Sequence, residues 1–349
     1  MKKKIADLRI GDTVEINGKL YDVYDEPTKL ENGDYCFVIV GHGMIEKVSK
    51  MTYITPADLA YEVSSNFENG EITVVAKERR KMKYDALGTR MKKYEYVSRT
   101  HLVNRCPVIV RLDGKAFHTF TRGFKKPFDE ILVRSMQETM KYLCENIQGC
   151  VLGYTQSDEI TLVLVDYKKI DSCAWFDYNI QKCASVSASM ATLAFNRFFE
   201  KNATAHLNDY YDSMEIDVED KRYCERLQKA IEKGAMFDSR VFNIPKEEVI
   251  NCVLWRQNDA TRNSIEMVGH ANFSQNQLHK KSCNEIQDML MLQKGINWNN
   301  FPTHLKRGSC CIRKVDETTR RSKWVIDTEI PIFKGNGRKY IDDLVFIGE

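Results

Sequence analysis

At 349 residues, 43% of them hydrophobic and 29% charged, the chain has the make-up of a soluble globular protein with two domains, or one large domain and an appended module. Disordered, collagen-like and low-complexity architectures are excluded. Fifty-two Lys and Arg against 49 Asp and Glu leave a formal charge of +3, so net charge points to no nucleic acid and any such site has to arise from local clustering.

The opening MKKKIADLRIGD carries the lysines of a secretion signal, but Asp7, Arg9 and Asp12 interrupt any apolar segment, which predicts a cytoplasmic protein. Apolar runs such as Ile160 to Val165 fall far short of the ~20 residues that cross a bilayer, so no membrane partner is expected. Eleven cysteines without a C-x-x-C pair, in apolar stretches such as those of Cys144, Cys173 and Cys252, indicate buried reduced thiols rather than zinc ligands or disulfides.

Residues 1–80 form the first predicted domain, a small β-rich module. Short β-type runs, Thr13 to Ile16, Lys19 to Val23, Tyr35 to Val40 and Ile72 to Ala76, alternate with turn signals, of which Asn17-Gly18 is the clearest. A partly open barrel fits that pattern; its role is not disclosed. A basic stretch follows from Lys77 to Glu95, with Arg79, Arg80, Lys81, Lys83, Arg90, Lys92 and Lys93, either a solvated helix or a phosphate-contacting surface.

Residues 81–349 form the second predicted domain. Its first strand is Pro107 to Leu112, ended by an Asp113-Gly114 turn. A helix capped by Asp129 places Ile131, Leu132, Met136, Met140, Leu143 and Ile147 at helical spacing. Strands Val151 to Gln156 and Glu159 to Val165, joined at Ser157-Asp158, form a hairpin. A helix with the stripe Phe176, Ile180, Ala184, Ser187, Ala191, Ala194 and Phe198 and a strand Arg240 to Ile244 complete the order β-α-β-β-α-β. The fold class is therefore α/β of the α+β kind, a ferredoxin-like split βαβ unit.

In that topology the third strand inserts between the first two, antiparallel to both. Asp113 then meets Asp158 and Glu159 at one end of the sheet. Carboxylates gathered in this way repel unless a cation or proton neutralises them. Mg²⁺ suits such a site, since it shares one or two carboxylates with substrate phosphates. Two such ions about 3.5 to 4 Å apart serve a phosphoryl displacement. Gly114 allows close approach of a phosphate, NH groups of the next turn could cradle a triphosphate, and Lys115, Arg122, Lys125 and Lys126 follow. Asp-Gly and Ser-Asp are also ordinary turn residues. His118 has no second ligand at metal spacing and suits a packed or loop position. Lys182 projects toward the site or snorkels into water.

The ordered segments RLDGKAFHTFTRGFKKPFD, GYTQSDEITLVL, FDSRVF and WRQNDATRN resemble the tRNA-His guanylyltransferase family, from the YDALGTRMKKYE segment at Tyr84 to the GINWNNFPTHLKRGSCCIRK block near the C-terminus. The resemblance implies a polymerase-palm-like nucleotidyltransferase that adds nucleotides in the 3′-to-5′ direction to the 5′ end of tRNA. It implies that Asp113, the Gly114 carbonyl and Asp158 bind two Mg²⁺ ions, with Glu159 beside them as a further catalytic residue. It implies nucleotide contacts from Asp113, Gly114, Lys115, Ala116, Phe117, His118, Lys126, Ser157, Asp158, Lys182, Arg262 and Asn263, and RNA contacts from Arg240 and Arg256. ATP or GTP activates the 5′-monophosphate, the 3′-OH of the incoming nucleotide attacks, and pyrophosphate is removed at the end. Family members form tetramers, which implies a homo-oligomer.

Thr261 stands where the eukaryotic tRNA-His enzymes carry a histidine associated with anticodon recognition. The Thr261-Arg262-Asn263-Ser264 segment is similar to the subgroup that repairs truncated tRNA 5′ ends, so exclusive tRNA-His specificity is not implied. A palm-type nucleotide cyclase and a non-catalytic tRNA-binding protein are the alternatives.

Overall fold

The computed structural model describes residues 86–212, 218–315 and 320–347, and before them residues 2–4, 7–16, 19–23, 28–29, 35–41, 52–54 and 71–76. The Asn17-Gly18 turn and the basic residues from Lys77 to Lys83 lie outside the described residues. The chain divides into two compact units, Met1–Ser98 and Arg99–Glu349.

In the first unit, strands β1 (Lys2–Lys4), β2 (Thr13–Ile16), β3 (Lys19–Val23), β4 (Thr28–Lys29), β5 (Tyr35–Gly41), β6 (Thr52–Ile54) and β7 (Glu71–Ala76) make one sheet in the order β1-β7-β2-β3-β5-β4, with β6 also on β5. Helix α1 (Ala86–Val97) belongs to this unit and carries Arg90, Lys92 and Lys93 exposed. The division thus falls after α1, where the sequence had suggested residue 80.

The second unit opens with β8 (Val108–Gly114), the short helix α2 (Phe117–Phe120) and helix α3 (Glu130–Asn146). The hairpin strands β9 (Cys150–Gln156) and β10 (Glu159–Leu164) follow, then helices α4 (Ile180–Asp212) and α5 (Val218–Lys233) and strand β11 (Phe237–Asn243). Beyond it come α6 (Lys246–Asn272), α7 (Gln275–Leu278), α8 (Cys283–Lys294), α9 (Thr303–Arg307), strands β12 (Ser309–Val315) and β13 (Ser322–Asp327), and α10 (Lys339–Val345). The sheet order is β11-β8-β10-β9-β12-β13. Its first four strands have the ferredoxin-like arrangement, with β10 antiparallel to both β8 and β9. The β12-β13 pair widens that sheet on the β9 side.

Strand side chains alternate between faces, and here both faces are covered. Val110, Leu112, Ile160 and Leu162 pack with Met136 and Met140 of α3 and Phe195 and Phe199 of α4. Ile109, Val163 and Leu152 pack on the other face with Val249, Ile250 and Val253 of α6 and Ile341 of α10. This double burial explains why β8 and β10 are nearly continuous apolar runs rather than alternating ones.

Asp129 caps α3 as its position suggested: Oδ1 accepts the Leu132 N–H at 2.9 Å. Its other oxygen accepts the Lys125 N–H at 3.1 Å and the Tyr223 hydroxyl at 2.7 Å, tying the Lys125–Asp129 loop to α5. Cys144 is buried, whereas Cys173 is exposed, against its assignment to the interior. Among the described residues no helix is long and apolar enough to cross a membrane.

Candidate active site

Asp113 lies within β8, not in a turn after it. The strand runs through Gly114, which pairs with Phe237, while Asp113 faces Glu159 on one neighbour and Asp238 on the other. Directly opposed residues share a face, so Asp238, Asp113 and Glu159 form one row across three strands. Asp238 was not foreseen, because nothing in FDSRVF fixes its register against β8.

The hairpin tip brings Asp158 to the same place. The Gly114 N–H donates to the Asp158 carbonyl at 3.1 Å. Asp158 makes no reciprocal bond to the Gly114 carbonyl among the described residues; its N–H turns to its own carboxylate instead. Ser157, at a left-handed φ of 48°, donates its hydroxyl to Asp158 Oδ1 at 3.0 Å. Burial first, then the charges of Asp113 and Glu159, push the Asp158 carboxyl up to about 6, against favourable hydrogen bonds from its own backbone and Ser157. A carboxylate disfavoured by its neighbours, beside a second carboxylate and a backbone carbonyl, is an all-oxygen donor set suited to a hard divalent cation. Among the described residues no group of three or more His, Cys, Asp and Glu is placed to hold a metal ion. Two carboxylates here leave coordination positions for substrate oxygens and water.

Glu159 is tied into an ion-pair chain. The Arg256 guanidinium, buried on α6, donates to Glu159 at 2.5 Å and to Asp259 at 2.8 Å, and Arg262 pairs with Asp259. Arg256 therefore departs from the RNA-contact role inferred for it: it is 5% exposed and occupied by two carboxylates. Asp259, like Asp238, was missed; its helical spacing of three to Arg256 and to Arg262 was the available signal.

Gly114 is required by packing. A Cβ there would lie 2.2 Å from the Phe117 ring, which is buried against Phe195 and Phe237. Phe117 can thus offer a ligand only its backbone. The Lys115 N–H is taken by the Met236 carbonyl at 2.8 Å, and Ala116 adopts a left-handed φ of 55° before α2. His118 is exposed and sits 3.0 Å from the Thr119 hydroxyl. Gly114→Ala should cost about 1–3 kcal/mol through overpacking, read as a lower melting temperature in thermal denaturation; an unchanged melting temperature would refute the close contact.

Other residues divide by location. Ser157 and Asn263 line one cavity with Phe128, Asp129, Met136 and His304, beside the hairpin tip. Lys126 lines a separate open groove against α5, with Lys125, Arg222 and Arg226. Arg240 is exposed on the Asp113 face, opposite Arg111. Lys182 is exposed and stands toward the other end of the sheet from Asp113. It opens α4 where Tyr178 accepts the Leu102 N–H, near the start of β8, and its ammonium lies over Phe176. The part of α4 that reaches Phe237, the partner of Gly114, is Thr192, about 15 Å of helix away at 1.5 Å per residue.

Comparison with known proteins follows the same lines. The family model described as tRNAHis guanylyltransferase matches residues 88–245. A bacterial tRNA(His) guanylyltransferase-like protein, solved in complex with ATP, is 41% identical, covers 75% of this chain and all of its own, and superimposes with a TM-score of 0.63. A GTP complex of a bacterial protein so described is 40% identical, with the same coverage of both chains and a TM-score of 0.61. The tRNA(His) guanylyltransferase of Saccharomyces cerevisiae is 28% identical over 240 residues, 64% of this chain and 90% of that one.

Proposed function

The chain belongs to the tRNA(His) guanylyltransferase family and is a nucleotidyltransferase; on that premise we propose that it adds nucleotides to the 5′ end of tRNA in the 3′-to-5′ direction, with Mg²⁺ and with ATP and GTP as substrates. The observation that carries this reading is the meeting of Asp113, the Gly114 carbonyl and Asp158 at one sheet end. These three groups would hold the metal. When bound, Mg²⁺ neutralises triphosphate charge and lowers the pKa of the attacking hydroxyl.

The residues around them position the reactants. The Ala116, Phe117 and His118 N–H groups, with Lys115 and Lys126, receive phosphate oxygens. The cavity between Ser157 and Asn263 takes the nucleoside. Arg256 fixes Glu159 beside Asp113, so that the carboxylate neither rotates into the metal position nor stays unpaired. No protein nucleophile is required: the attacking and leaving groups both belong to substrates.

Thr261 supports a broad tRNA substrate. Its hydroxyl donates to the Gln257 carbonyl at 2.9 Å within α6 and presents no ring to RNA. The test is an extension assay on 5′-phosphorylated tRNA-His and on truncated non-His tRNAs, with ATP and GTP. Both substrates should lengthen at the 5′ end, and a chelator should stop the reaction until Mg²⁺ is restored. Cyclic or dinucleotide products from NTP alone, without extension, would move the assignment to a nucleotide cyclase.

A further inference from the structure

Of the four tryptophans, Trp175, Trp298 and Trp324 are 7–8% exposed, whereas Trp255 on α6 is 54% exposed. An indole in solvent forgoes its large burial gain. Its surroundings are specific. The Arg256 guanidinium lies 4.5 Å and the Arg111 guanidinium 5.5 Å from its ring.

Two connections tie this ring to the carboxylate row. Arg111 precedes Asp113 by two residues on the same strand face, a step of about 7 Å. Arg256 reaches Glu159, which stands opposite Asp113. Arg111 is also directly opposed to Arg240 on β11, an edge strand of the sheet. Like charges facing each other across two strands repel. Arg240 has one exposed carboxylate, Asp238, at 3.7 Å, and Arg111 forms no ion pair among the described residues. An exposed ring beside Arg111, which itself faces Arg240 across the two strands, is the chemistry that takes a nucleobase on the ring and the adjoining phosphate between the two strand cations.

We propose that Trp255 is a stacking platform for an unpaired nucleotide of the RNA strand, with Arg111 and Arg240 on the adjoining phosphate, leading the 5′ end to Asp113. This rests on the tRNA reading of the same site. The RNA strand is favoured over a free nucleotide because Trp255 is exposed outside the cavity at the hairpin tip, and Arg111 beside it faces Arg240 on the edge strand β11.

Titrating the full chain with a 5′-phosphorylated single-stranded RNA oligonucleotide, and separately with ATP and GTP, tests it through intrinsic fluorescence. RNA should quench the exposed indole and free nucleotides should not. Trp255→Phe should abolish the quench while keeping the RNA dissociation constant, read by fluorescence anisotropy, within about three-fold. Trp255→Ala should raise that constant about ten-fold. Quenching that survives in Trp255→Phe, unaltered affinity in Trp255→Ala, or quenching by nucleotides alone would overturn the proposal. Binding is read without turnover, so a missing quench alongside normal 5′ extension removes the platform alone, and a normal quench without extension removes the catalytic assignment alone.

Discussion

Asp113→Asn and Asp158→Asn should each lower 5′ nucleotide addition on the order of a thousand-fold without disturbing the fold. Asn keeps the carboxylate's shape and one acceptor, and the Gly114–Asp158 bond is made by backbone atoms. What is lost is charge. The same loss should leave the metal-free protein more stable, because Asp158 is held ionised against burial and against Asp113 and Glu159. In chelator, Asp158→Asn should melt at or a few degrees above the wild type. Adding Mg²⁺ should raise the wild-type melting temperature through binding to the folded state and leave the variant's almost unmoved. A variant that extends RNA at the wild-type rate, or a wild type whose melting is indifferent to Mg²⁺, would remove Asp113 and Asp158 from the metal site.

These carboxylates were legible in the sequence because topology alone places them. Once β8, β9 and β10 are recognised, insertion of β10 between the other two brings Asp113 to Glu159 whatever the side chains do. What topology does not fix stayed hidden. Asp238 reaches the row only through the register of β11 on β8, and FDSRVF accommodates a shift of one residue as readily. The Arg256–Glu159 pair joins residues 97 positions apart on different elements, which no periodic pattern encodes. Lys182 stayed open between two readings because the stripe identifies which face of α4 is buried but not which end lies beside Asp113. The glycine at 114 was read for close phosphate approach, and nothing in the residue pattern signalled that the Phe117 ring occupies the space of its missing side chain. The β12-β13 hairpin escaped notice although its two strands are close in sequence, and nothing in GSCCIRK announces that β12 also pairs with β9, far earlier in the chain.

Arg256→Met should be the most damaging substitution outside the metal ligands, and in a particular way. Removing the guanidinium leaves Glu159 unpaired and Asp259 with Arg262 alone, each carboxylate about a fifth exposed, and an uncompensated charge at such depth costs about 3 kcal/mol. The melting temperature should fall on the order of 6–12 °C. Replacing Glu159 by Gln and Asp259 by Asn in the same chain should restore most of that loss, since a neutral set needs no counter-ion. The catalytic consequence separates a positioning role from a merely structural one. In Arg256→Met the released Glu159 carboxylate adds negative charge next to Asp113 and Asp158, so at a temperature where both proteins are folded the half-saturating Mg²⁺ concentration should fall while kcat falls with it. A site that had only loosened would bind the ion more weakly and raise that concentration. Arg256→Lys, which keeps the charge but lacks the fork that spans two carboxylates, should lie between wild type and Met in both measurements. A wild-type kcat in the Met variant would show that Glu159 needs no partner to hold its place in the row.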